Sequence, residues 1–214
     1  MKKMKTGIQG FDDIFGGVQE KSLTIVSGVP GTGKTVFGIQ FIAHGALHGE
    51  AGVYITVEQK EADLVDYAKG FGHNFKKKNI SVVEMPIFTS DTMMITTLEQ
   101  EIKKIGAKRL VFDSIRIFQY LYDDENQRWK SLLRFKNFLR KYGVTAVLCF
   151  EKNEQPLKVF KTEESLSDTL IVLTRKEERD MTKRFISVLK TPGKEQFDKI
   201  HRIEIGKKGI EIFN

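Results

Sequence analysis

Residues 22–41, SLTIVSGVPGTGKTVFGIQF, leave a chain of this kind few folds to choose from. Residues 23–26 are a short, β-branched apolar run, the signature of a buried strand. Gly28-Val29-Pro30-Gly31-Thr32-Gly33-Lys34-Thr35 then matches G-x-x-x-x-G-K-[ST], the phosphate-binding loop, and Val36, Phe37, Ile39, Gln40 and Phe41 continue as a helix packed on the sheet. Gly28, Gly31 and Gly33 let the backbone curl around a polyphosphate, because glycine takes positive φ without a Cβ clash. The helix that begins near Gly33 turns its positive end toward the same anion. Gly28 through Val36 are therefore the expected ligand contacts, with Lys34 reaching the β- and γ-phosphates and the Thr35 hydroxyl serving Mg²⁺. Strand, loop and helix in this order predict an α/β fold with a mainly parallel sheet flanked by helices.

The remaining residues supply such a fold. In residues 6–17, TGIQGFDDIFGG, Phe11, Ile14 and Phe15 share one face of a short leading helix. The helix from Lys34 should stop near Gly49. Residues 51–57, AGVYITV, read as a second buried strand that delivers Glu58 and Gln59 at its carboxyl end, where open α/β sheets bind their ligands. A carboxylate there can orient and deprotonate an attacking water; the residues alone give equal weight to a surface Glu opening the next helix. Leu64, Ala68 and Phe71 line the inner face of a helix from Glu61 that Gly70 and Gly72 end, and residues 80–83 form a third strand. Ile95, Leu98, Ile102 and Ile105 mark an amphipathic helix stopped by Gly106. Arg109-Leu110-Val111-Phe112-Asp113-Ser114 is an apolar strand ending in one acidic residue, the Walker B pattern, which assigns Asp113 to Mg²⁺ through its water shell. Residues 128–142 read as a helix ended by Gly143, residues 144–150 as a buried strand and residues 151–162 as a polar loop. Residues 169–174, 185–189, 200–205 and 209–213 read as strands, with a turn at Lys207-Lys208, and form an antiparallel tail on the parallel core.

At 214 residues the chain suits one α/β domain over residues 1–214, and 40% hydrophobic with 29% charged residues gives that domain a core and a solvated surface. No apolar run is long enough to span a bilayer and no apolar stretch follows the basic start MKKMKTGIQG, so the expected location is the cytoplasm, away from membranes. Cys149, the single cysteine, lies in VTAVLCF and is expected in the core. His44 and His48 have ligand-capable spacing but no third partner, so they are read as helix-surface residues and no protein-bound metal site is assigned. The net charge of +7 permits nucleic-acid binding. The clusters Lys2-Lys3-Lys5, Lys76-Lys77-Lys78 and Lys207-Lys208 lack interleaved aromatics and read as solvated surface.

TGIQGFDDIFGG followed by SLTIVSGVPGTGKT, then GVYITVEQ, RLVFDS and a strand-rich end closing on GIEIF resembles the KaiC/RadA branch of RecA-like ATPases, especially its single-domain archaeal and bacterial KaiC-like members. The resemblance covers nearly the whole chain. It implies a RecA-like core with the Walker B strand separated from the P-loop strand by one other, ATP as the nucleotide with Mg²⁺, and hexamers or filaments whose ATP sites lie between subunits. It implies that Lys34, Thr35 and Asp113 take the phosphate and Mg²⁺ roles and that Glu58 is the water-activating carboxylate, with Gln59 in place of the family's second glutamate. It further implies that Lys190, opening Lys190-Thr191-Pro192-Gly193, reaches the γ-phosphate of the neighbouring subunit. Pro192 stands where the family has arginine, and an arginine finger is worth about 10³–10⁵ in rate, so slow hydrolysis is expected. The implied function is a slow ATPase that binds ATP and ADP and acts as a nucleotide-dependent switch or assembly scaffold for an unidentified protein partner. Two other readings come with the same branch: a RadA-paralogue-like recombination accessory on single-stranded DNA, and a regulatory autokinase. Of the candidate DNA loops, YLYDDENQRW is acidic at Asp123-Asp124-Glu125, and EKNEQPLKVFKTEESLSD mixes Lys152, Lys158 and Lys161 with Glu151, Glu154, Glu163 and Glu164, which disfavours DNA.

Overall fold

Apolar strands that must be covered on both faces pair in parallel with helices packed above and below. The computed structural model describes residues 2–75, 79–87, 89–152, 162–178, 181–193 and 199–213. Along the chain these residues form β1 (Lys3–Met4), α1 (Phe11–Phe15), β2 (Val18–Gln19), β3 (Leu23–Gly28), α2 (Lys34–Leu47), β4 (Gly52–Thr56), α3 (Glu61–Gly70), β5 (Ile80–Glu84) and α4 (Asp91–Ile105). There follow β6 (Arg109–Asp113), α5 (Ile117–Leu121), α6 (Glu125–Tyr142), β7 (Thr145–Glu151), α7 (Thr162–Leu166), β8 (Thr169–Glu178), β9 (Met181–Lys190), β10 (His201–Gly206) and β11 (Gly209–Phe213). β1 and β2 make a small antiparallel pair, and the other nine strands form one sheet in the order β11-β10-β9-β8-β3-β7-β6-β4-β5. From β8 to β5 neighbours run parallel, and β8 through β11 are antiparallel. β7 lies between the P-loop strand β3 and the Walker B strand β6, the order that the family resemblance implies.

The period-two alternation of the strands divides the core into two layers. Val26, Tyr54, Val111, Val147 and Ile171 pack with Phe37 and Phe41 of α2 and Leu64 of α3. Ile25, Ile55, Phe112, Leu148 and Leu170 face the other way, against Leu98 of α4, Phe118 of α5 and Phe135 of α6. α2 lies close on the sheet because position 38 is glycine: a Cβ there would stand 2.8 Å from Cγ1 of Val111.

Gly106 and Gly143 end α4 and α6 in the left-handed conformation, at φ 62° and 65°. α6 begins earlier than its apolar spacing indicates, because the Asp124 carboxylate accepts from the Gln127 backbone N–H and caps the helix there. α5 and α7, of five residues each, lack the flanking glycines that mark the equally short α1, and the sequence reading does not contain them. β8 and β9 run past the apolar stretches that marked them, since their polar outer halves continue to pair with one another. Cys149 is buried in β7. The rings of His44 and His48 lie 4.2 Å apart between centroids, tilted by 36°. Among the described residues no helix is long and apolar enough to cross a membrane. Lys76-Lys77-Lys78 and most of the polar loop 151–162 lie outside the described residues.

Candidate functional site

The end of β3 is hemmed in on both sides, with Gly28 opposite Glu151 of β7 and Leu173 of β8. A Cβ on Gly28 would sit 2.5 Å from the Leu173 carbonyl oxygen and 2.7 Å from Oγ1 of Thr32, so the loop can leave the sheet here only as glycine. Gly31 and Gly33 then take φ 76° and 105°, and Thr32 Oγ1 closes the turn on the Val29 carbonyl at 2.8 Å. Gly33 is the N-cap of α2 and offers no side-chain cap, leaving the first-turn N–H groups to a ligand. Lys34 is 8% exposed, and its amine donates to the carbonyls of Gly28 at 2.9 Å and Val29 at 3.0 Å. Burial pushes its pKa down, while Cys149, Glu151, Asp113 and Glu58 draw it back up.

α2 also carries Thr35, whose hydroxyl donates to Oδ2 of Asp113 at 2.7 Å. The Tyr54 hydroxyl, from β4, donates to the same oxygen at 3.0 Å. Burial pushes the Asp113 carboxyl up, and the bonds from Thr35 and Tyr54, with the charge of Lys34, oppose that rise. A carboxylate at a strand end paired with a hydroxyl at a helix start suits a hard cation that takes most of its ligands from phosphate and water. Among the described residues no group of three or more His, Cys, Asp or Glu could hold a metal alone. The donor set fits Mg²⁺ arriving with a nucleotide.

A cavity of about 560 Å³ opens over the loop, with Pro30, Gly31, Gly33, Lys34, Thr35 and Val36 as its floor. Glu58 and Gln59 stand on one wall, where Thr56 donates to the Gln59 carbonyl and accepts from its N–H, folding the strand end into a bend with Glu58 exposed. Tyr67 of α3 and Arg184 of β9 also line the cavity, and Arg184 Nε donates to the Gly31 carbonyl at 2.9 Å. Glu151, the last residue of β7, lies 4.0 Å from the Lys34 amine and accepts from Arg116 at 2.8 Å.

The expected phosphate loop, Asp113 and Glu58 are thus gathered around one cavity. Lys190 is not. It pairs with Leu170 near the start of β8, at the opposite end of the sheet from Gly28, and its amine donates to the carbonyls of Ser165 at 2.9 Å and Ser167 at 2.6 Å. Within one chain it is remote from the loop. Tyr54, Tyr67, Glu151 and Arg184 escaped the sequence reading as site residues. Glu151 alone carried a usable signal, because it ends an apolar strand as Asp113 does.

A family model described as ATPase: KaiC matches residues 4–214. The chain is 30% identical to the circadian clock oscillator protein KaiC of Prochlorococcus marinus, with 100% of the chain and 46% of that relative aligned. It is 31% identical to the Synechococcus elongatus protein of the same name, over 99% of the chain and 44% of the relative. The chain therefore spans less than half the length of these relatives. The crystal structure of a KaiC-like protein from Pyrococcus horikoshii matches with a TM-score of 0.88 and 32% identity, covering 100% of this chain and 99% of that one.

Proposed function

The chain belongs to the KaiC family of RecA-superfamily ATPases, and on that premise we propose that it binds Mg-ATP over the P-loop, hydrolyses it slowly and acts as a nucleotide-dependent switch or assembly scaffold. The observation that carries the reading is the Thr35–Asp113 hydrogen bond of 2.7 Å beside the uncapped start of α2, which joins the phosphate-binding loop to the Walker B strand. The phosphates lie on the loop, and the Lys34 amine exchanges the Gly28 and Val29 carbonyls for phosphate oxygens. Thr35 and Asp113 hold Mg²⁺, which when bound neutralises charge on the phosphates. Glu58, on the cavity wall, orients the attacking water and takes its proton. The Tyr67 ring and the Arg184 guanidinium line the same cavity and offer a nucleobase an aromatic face and a planar cation.

Lys190, remote from the loop of its own chain, is assigned to a neighbour's γ-phosphate across an interface of a ring or filament. Reaching it requires the amine to leave the Ser165 and Ser167 carbonyls. ATP then favours assembly, while Pro192, uncharged and without an N–H, leaves turnover slow.

Light scattering with and without Mg-ATP, together with phosphate release, tests the proposal. ATP-dependent growth in mass with slow release supports it, and a protein that stays monomeric at high concentration with ATP bound removes Lys190 from the site. The described acidic loop, where Asp124 caps α6, offers no basic track. Tight single-strand DNA binding at about 150 mM salt would promote the recombination reading. ATP-dependent phosphate incorporation into the protein would promote the autokinase.

A further inference from the structure

Tyr54 is fully buried on β4, in the apolar layer between the sheet and α2. A hydroxyl in such a layer is costly unless it finds a partner, and phenylalanine would fill the same place without that need. Its partner is Oδ2 of Asp113, at 3.0 Å. Strand register explains the meeting: Thr56 lies opposite Asp113 and Tyr54 opposite Val111, so Tyr54 is two residues below the aspartate on the neighbouring strand, and its long side chain spans the step. The helix above packs closely at this point, where a Cβ on Gly38 would clash with Cγ1 of Val111 at 2.8 Å and only touch the Tyr54 hydroxyl, at 3.5 Å. The ring is fixed from the side by Phe75, at 5.9 Å between centroids.

Asp113 Oδ2 thus receives two donors of different standing. Thr35 is at the cavity and is itself assigned to the cation, whereas Tyr54 is sealed in the core and serves Asp113 alone. We propose that Tyr54 is a positioning residue for Mg²⁺, its hydroxyl holding the Asp113 carboxylate in one orientation toward Thr35 whether or not nucleotide is bound. This rests on the reading of the cavity as a Mg-nucleotide site. Tyr54 touches neither phosphate nor base, so its effect falls on the cation dependence of binding.

The test compares wild type with Tyr54→Phe, which removes one oxygen and keeps the ring. ATP affinity is measured by calorimetry in EDTA and across a Mg²⁺ titration, with apo thermal unfolding alongside. The Mg²⁺ concentration for half-maximal enhancement should rise about tenfold, as expected for one lost hydrogen bond to a charged group. Affinity in EDTA should change less than about twofold, and the apo melting temperature by no more than a few degrees. An unchanged Mg²⁺ midpoint overturns the proposal. So does a parallel loss of stability and of affinity with and without Mg²⁺, which would make Tyr54 merely structural. A wild type with no Mg-dependent nucleotide binding overturns both this inference and the reading of the site, whereas Mg-dependent wild type with an indistinguishable variant overturns this inference alone.

Discussion

Lys34→Ala separates the site from the fold, because each hydrogen bond and ion pair of that amine is backed by another, although the variant also loses the charge that Lys34 sets beside Asp113. The two carbonyls that it satisfies each keep another donor: Lys152 N–H reaches Gly28 at 3.2 Å, and Thr32 Oγ1 reaches Val29 at 2.8 Å. Glu151 keeps Arg116 at 2.8 Å. No carbonyl is stranded, so the apo variant should melt within a few degrees of wild type. Nucleotide binding should respond strongly. Losing two charge-assisted hydrogen bonds to phosphate, at about 1.5 kcal/mol each, weakens ATP binding by roughly 100-fold. At 100 times the wild-type dissociation constant, ATP stabilises the wild type by about 2.7 kcal/mol, or about 5–11 °C for a chain of this size. The same ATP concentration then only equals the variant's dissociation constant, and the gain shrinks to about 0.4 kcal/mol, or about 1 °C. Differential scanning fluorimetry with and without Mg-ATP measures both shifts. Equal shifts in the two proteins would refute the assignment of Lys34 to phosphate.

Glu58→Gln should leave Mg-ATP binding within about twofold while lowering turnover by about 10²-fold or more, since an amide can orient a water but cannot accept its proton; unchanged phosphate release would return Glu58 to the surface. Asp113→Asn should raise apo stability, on the order of 1 kcal/mol, while abolishing the Mg²⁺ enhancement of ATP binding. The sign follows from burial, which raises the Asp113 pKa above its unfolded value: the carboxylate form disfavours folding, the penalty appears as pH rises through the unfolded and then the folded pKa, and a neutral amide avoids it. Chemical denaturation at pH 7 checks the stability, and a less stable variant would contradict it. Pro192→Arg should raise turnover per site in the assembled protein, while Lys190→Ala should weaken ATP-dependent assembly and leave the monomer folded, both read from phosphate release and light scattering.

The residues that were legible in advance are those whose chemistry is local. The P-loop is one continuous segment whose glycines, lysine and threonine carry their roles in their order, and the Walker B strand announces itself by ending an apolar run in Asp113. The parallel core followed from the same patterns, as did the glycine stops of α4 and α6. α5 and α7 did not, because neither has the flanking glycines that mark the equally short α1.

The sequence by itself therefore determined the strand, loop and helix that make a phosphate site, and the family to which they belong. Only the tertiary structure decided what surrounds that site. Tyr54 meets Asp113 across 59 positions, Thr35 meets Asp113 across 78, and Arg184 meets Gly31 across 153. Tyr54 reads in the sequence as one more apolar residue of a buried strand, and Glu151 as the first residue of a polar loop. Their roles come from strand order and register, which set Tyr54 two residues below Asp113 on the adjacent strand and Glu151 directly opposite Gly28. Register is a property of paired strands, fixed by the packing of both sheet faces, and no single segment contains it.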